Sequence, residues 1–220
     1  MADFVLIQGL WLTPQVWADV ERELVALGHR ARAVDLPIGA DATLDDQVEA
    51  VLAAVDAADD PVVVGHSAAA SLAWIAADRR AVGKVVLIGG FPAPDGEVYA
   101  SFLPSTGAPI PFLGWEQFEG PDSADLDAPT RARMASAMVA VPDGVAQGTV
   151  RLANERRYRT PVTLICPEFS PNDARDWIAS GDLPELAKAE QLTFVDLDSG
   201  HWPMVSQPRA LAEALAAAAG

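Results

Sequence analysis

Residues Gly65-His66-Ser67-Ala68-Ala69 carry the first chemistry that can be read from this chain. A serine flanked at two positions before and two after by small residues can sit on a strand-to-helix turn so tight that its neighbours pass close together. The context fits such a turn. Val62-Val63-Val64 before it is an unbroken apolar run, as in a strand buried on both faces, and the Ala-rich stretch Ala70 to Ala77 after it favours helix. The turn holds the hydroxyl out above the sheet edge. The Ala68 amide, at the start of the helix, points toward any oxyanion that forms there.

Serine needs a base, and histidine is the usual one. Of the three histidines, His66 adjoins Ser67 but faces around the turn, where packing is the expected role. His29 falls between a helix and a strand, at the wrong edge of the sheet. His201 follows the last strand, at the correct edge and in the chain order serine first, histidine last, which makes it the candidate base. A carboxylate to orient it is expected just after the fifth strand. Glu168 is nearest the strand end there; Asp173, farther along that loop, and Asp95, beyond the fourth strand, remain alternatives. The second oxyanion amide is expected at Leu10, in the loop after the first strand. Trp11, Phe91, Phe102, Trp202 and Met204 are expected to line an apolar pocket. Cys166 lacks a turn or a helix N-terminus of its own and reads as a buried thiol.

Six strands must place these groups. Phe4 to Ile7, Ala31 to Leu36, Val62 to Val64, Val85 to Ile88, Pro161 to Ile165 and Leu192 to Leu197 alternate with helical segments at 16–27, 41–58, 70–77, 173–187 and from Pro208 to the C-terminus. This predicts an α/β fold with a mostly parallel six-stranded sheet and helices on both faces. From about 92 to 159 the pattern changes. Prolines and aromatics replace the alternation, and only two helical stretches, near 129–140 and 144–156, are expected. We read one domain, 1–220, with that segment as a short cap insertion.

With 220 residues, half of them hydrophobic, the chain can form one sizeable core. A net charge of −16 argues against nucleic acid and against acidic membrane surfaces as partners. One cysteine excludes an internal disulfide. No leader-like or membrane-spanning run is seen, so a cytoplasmic protein is expected, and the scarcity of lysine beside arginine suggests a bacterial source.

On these residues the chain resembles the α/β-hydrolases, in the branch of plant methylesterases, hydroxynitrile lyases and small bacterial hydrolases. The similarity runs through Phe4 to Trp17, Leu27 to Leu36, Gly65 to Ala69, Val162 to Glu168 and Ser199 to His201. It implies an α/β-hydrolase fold lacking the usual first two antiparallel strands. It also implies Ser67 as nucleophile, His201 as base, and Leu10 and Ala68 as oxyanion donors. Four departures from the pattern matter. Gln8 stands where histidine is usual, Ala69 where glycine is, and Phe169 where aspartate is, with Glu168 beside it. Trp202 and Gly9 replace the lysine and threonine of the lyases, which disfavours lyase chemistry. The expected function is therefore a serine hydrolase cleaving a small carboxylic ester or related acyl compound, with no cofactor or metal. A cofactor-free lyase or oxygenase, or a non-catalytic binding homologue, is the alternative; a homodimer is left open.

Overall fold

The computed structural model describes residues 1–105 and 107–220. Six strands form one sheet: β1 (Asp3–Ile7), β2 (Arg30–Ala33), β3 (Val62–His66), β4 (Lys84–Ile88), β5 (Val162–Cys166) and β6 (Leu192–Asp196). Their order is β2-β1-β3-β4-β5-β6, and every pairing is parallel, which sharpens the expectation of a mostly parallel sheet. The central strands alternate between two cores. Val5, Ile7, Val63, Val85 and Leu87 face one, whereas Phe4, Leu6, Val64, Val86 and Ile88 face the other. Because both faces are covered, these strands are apolar throughout rather than at every second residue.

Helices α1 (Ala18–Ala26) and α8 (Pro208–Ala219) cover the second core. Helices α2 (Leu44–Asp56) and α3 (Ala70–Arg79) cover the first. α2 begins at a reciprocal cap in which Thr43 accepts from the Asp46 amide while Asp46 accepts from the Thr43 amide. α6 (Pro171–Ser180) opens on the same device, Ser170 with Asp173, and ends at Gly181 in a left-handed conformation. Asp173, an alternative for the acid, is occupied as this cap.

Several predicted helices are shorter than their periodicity suggested. The first begins as a 3-10 turn, Pro14–Trp17, and α6 stops at Ser180, with a separate turn at Leu186–Lys188. In the 92–159 segment, termed the cap for its place in the chain, α4 (Ala128–Ala137) answers the first expected helix. The second does not form over 144–156. Only α5 (Asp143–Ala146) and a 3-10 turn at Glu155–Arg159 are helical there. The intervening chain instead pairs at Thr149 with Val98, and just before α5 Val141 pairs with Ile110. α7 (Pro203–Ser206) follows the His201 loop. Among the described residues no helix is long and apolar enough to cross a membrane.

A buried ionic knot ties the cap's end to α3. Arg157 bonds Asp78 at 3.0 Å and Glu185 at 2.9 Å, and Trp74 Nε1 donates to Glu185 at 2.8 Å. Burial opposes ionisation of Glu185, but its bonds to Arg157 and Trp74 prevail and hold its carboxyl below the usual range.

Candidate active site

The sheet order itself marks a place for a site. Strands are added on one side from β1 to β2 and on the other from β3 onward. The connections therefore diverge at the β1/β3 boundary, and a crevice opens beyond the strand C-termini there. β1 ends at Ile7, releasing the Gln8-Gly9-Leu10-Trp11 loop; β3 ends at His66, immediately before Ser67.

Ser67 has φ +55°, in the left-handed region that L-residues with side chains avoid. The turn survives because its flanks are small. A Cβ on Gly65 would overlap the Ala69 carbonyl, so only glycine fits there, and Ala69 is itself fully buried. A 3-10 turn, Ser67–Ala69, then feeds α3. Among the described residues the Ala68 and Leu10 amides donate to no protein acceptor, which leaves both available beside Ser67.

Glu168, two residues past β5, lies 2.6 Å from His201 Nδ1. A carboxylate can only accept, so Nδ1 carries the proton and Nε2 is left with its lone pair. Both side chains are largely buried, at 13 % and 12 % exposure, so this bond is poorly screened. Gly89, with φ +56°, lies against the pair; a Cβ there would sit 3.1 Å from the Glu168 carboxylate and 3.2 Å from His201 Nδ1. Phe169, the neighbour of Glu168, turns into an aromatic group with Phe91 and Trp177. Asp95 is engaged elsewhere, accepting from the Leu152 amide at 2.7 Å.

The cap supports the His201 loop. The Asp122 carbonyl accepts from the His201 amide at 2.7 Å, and the Asp125 carboxylate accepts from the Gly200 amide at 2.7 Å. The Asp122 carboxyl is raised, mainly by burial; His201 opposes the shift and Glu168 adds to it. From below, His66 Nε2 donates to the His201 carbonyl at 2.7 Å. Complete burial, and secondarily the neighbouring His201, pulls the His66 pKa down to about 3, so this ring is neutral. His66 therefore does more than pack: it supports the loop that carries His201. Burial likewise pushes the Cys166 thiol up to about 12, with the Asp196 and Glu168 charges adding to it, which leaves it inert.

Two spaces meet at Ser67. A small cavity of about 50 Å³ is lined by Leu10, Trp11, Ser67, Phe102, His201 and Trp202. An open groove of about 440 Å³ runs from Ser67 and Ala68 past Phe91, Tyr99 and Phe102. The expected pocket residues thus divide between two spaces. Met204 is the exception: it lines a separate pocket behind the site, because it lies in α7 after the chain has turned away from His201. Phe118 and Met138 also line the small cavity, and Phe118 stacks over His201 at 6.4 Å. Neither was expected. They come from the cap, where proline-broken sequence gives no periodicity to say which aromatic turns inward.

Comparison with known proteins agrees with this architecture. Among curated proteins none matches the chain significantly by sequence. Solved structures do match in fold. An extracellular α/β-hydrolase from a Paenibacillus species, described as sharing structural and functional homology with tobacco salicylic acid binding protein 2, superposes with a TM-score of 0.80. The identity is 16 % and the match covers 99 % of each chain. A methylesterase from Arabidopsis gives 0.76 at 17 % identity, covering 99 % of this chain and 98 % of its own. A pyrethroid hydrolase gives 0.74 at 18 %, covering 99 % and 96 %. The model of the alpha/beta hydrolase family matches residues 4–214, from the first strand into the last helix. The chain therefore belongs to the alpha/beta hydrolase family.

Proposed function

We propose that the protein is a serine hydrolase that cleaves a carboxylic ester or related acyl compound through an acyl-enzyme on Ser67. The observation that carries this is the 2.6 Å bond from His201 Nδ1 to Glu168, at the wall of the cavity that Ser67 lines. It sets the tautomer in which Nε2 can accept a proton. The names methylesterase and pyrethroid hydrolase among the structural neighbours agree with this reading.

In this mechanism Ser67 Oγ attacks the ester carbonyl as its proton passes to His201 Nε2. The carbonyl oxygen, now an anion, takes hydrogen bonds from the Leu10 and Ala68 amides. A donor of this kind is typically worth ~2.7–4 kcal/mol in the transition state. The tetrahedral intermediate collapses, and His201 returns the proton to the departing alkoxide. Water then attacks the acyl-serine, again giving its proton to His201, and the acid leaves with Ser67 restored. Glu168 stays ionised throughout and stabilises the imidazolium.

Intact mass after incubation with a fluorophosphonate tests the reading. One adduct is expected on the wild-type protein and none on Ser67→Ala. A folded wild-type protein that takes up no adduct would refute an activated serine.

A further inference from the structure

The small cavity at Ser67 holds only a group of a few atoms, but it does not end in solid core. Its wall includes Met138, and Met138 also lines a second pocket of about 260 Å³ on the far side. The floor of that second pocket is apolar and buried, formed by Leu12, Met134 and Met204; the exposed Ala137 forms part of its outer wall. Its charges, Asp19 and Arg133, come from exposed residues at the rim. Met138 packs against both apolar clusters of the protein, so it is the partition between the two spaces. The adjacent backbone is pinned, because the Val139 amide donates to the Trp11 carbonyl at 2.9 Å. The side chain is not pinned in the same way. It is unbranched, with three rotatable bonds, and can turn aside by rotamer changes alone.

We propose that Met138 gates a subsite for the unbranched aliphatic chain of the ester, which threads from the catalytic cavity into the pocket floored by Leu12, Met134 and Met204. This rests on the serine-hydrolase reading and adds to it the substrate class: esters with a linear alkyl chain on one side of the carbonyl. A passage one side chain wide suits a methylene chain better than a ring. The apolar floor rewards each methylene it buries, by about fourfold in kcat/KM. The open groove on the other side of Ser67 takes the remainder of the substrate.

Two ester series test this. In p-nitrophenyl acetate and octanoate the acyl chain lengthens; in ethyl and octyl acetate the alcohol lengthens. The readout is the long-to-short ratio of kcat/KM within each series. Ala137→Phe projects a ring into the pocket from an exposed position and should lower the ratio about tenfold or more in one series, the loss of about two buried methylenes. Met138→Ala removes the partition and should raise the ratio in that same series. Ratios within twofold of wild type for both variants in both series would overturn the subsite. If Ser67 also takes up fluorophosphonate in that case, the hydrolase reading survives alone. A serine that takes up none overturns both.

Discussion

Replacing Glu168 by glutamine changes one oxygen to an amide and leaves the shape almost unaltered, so it isolates the charge. Two losses follow from the geometry. In the proposed mechanism His201 becomes an imidazolium next to this carboxylate in the transition state. Opposite unit charges about 4 Å apart, at the effective dielectric near 20 that suits such sites, attract by about 4 kcal/mol. That is about a thousandfold in rate. Low exposure of both side chains, 13 % and 12 %, keeps solvent from screening much of it. The second loss is the tautomer. The amide nitrogen of the introduced glutamine can donate to Nδ1, which moves the ring proton to Nε2, where it can no longer accept from Ser67. Together the losses should lower kcat by about 10³- to 10⁴-fold, the range known for a carboxylate-to-amide change in such triads. The assay is steady-state hydrolysis of p-nitrophenyl acetate, with thermal unfolding to show that the variant is native. A native E168Q variant within tenfold of wild type would refute the argument. The acid role would then be sought elsewhere, first at Asp122, whose backbone carbonyl already accepts from the His201 amide. Asp95 and Asp173 could not inherit it without breaking bonds that hold the cap and α6.

Two further outcomes concern stability. His66 has a folded pKa of about 3 against about 6.5 unfolded, so below 6.5 the unfolded chain binds more protons. Its contribution is complete above 6.5 and falls as pH drops toward 3. Urea melts at pH 7, 5.5 and 4.5 should show wild type losing more than His66→Gln, by roughly 1.3 kcal/mol in each of the two intervals; parallel slopes would contradict a buried neutral ring. Arg157→Met removes the buried cation shared by Asp78 and Glu185, leaving Asp78 with the Ala153 and Asn154 amides and Glu185 with Trp74, Tyr158 and the more distant Lys188, which costs about 3 kcal/mol and lowers Tm by roughly 10 °C. A Tm within two degrees of wild type would show that water reaches the knot.

Much of this protein could be read along the chain because its determinants are local. The β3–turn–α3 unit is specified by a valine run, Gly65, Ala69 and an alanine-rich helix, each acting on its immediate neighbours. The strand C-termini follow from where the apolar runs stop, so the loops carrying Leu10, Glu168 and His201 could be assigned to one edge of the sheet. The all-parallel order β1-β3-β4-β5-β6 then puts those loops on the same edge as Ser67. Which carboxylate meets His201 was not local. Glu168, Asp95 and Asp173 differ little in sequence; the choice depends on Phe169 turning into the cluster with Phe91 and Trp177, on the Ser170 cap capturing Asp173, and on Leu152 occupying Asp95. The cap was least legible of all. Its short turns and isolated bridges have no period to follow. The positions of Phe118 over His201 and of Met138 between two cavities follow from contacts between residues far apart in the chain, which only the folded structure specifies.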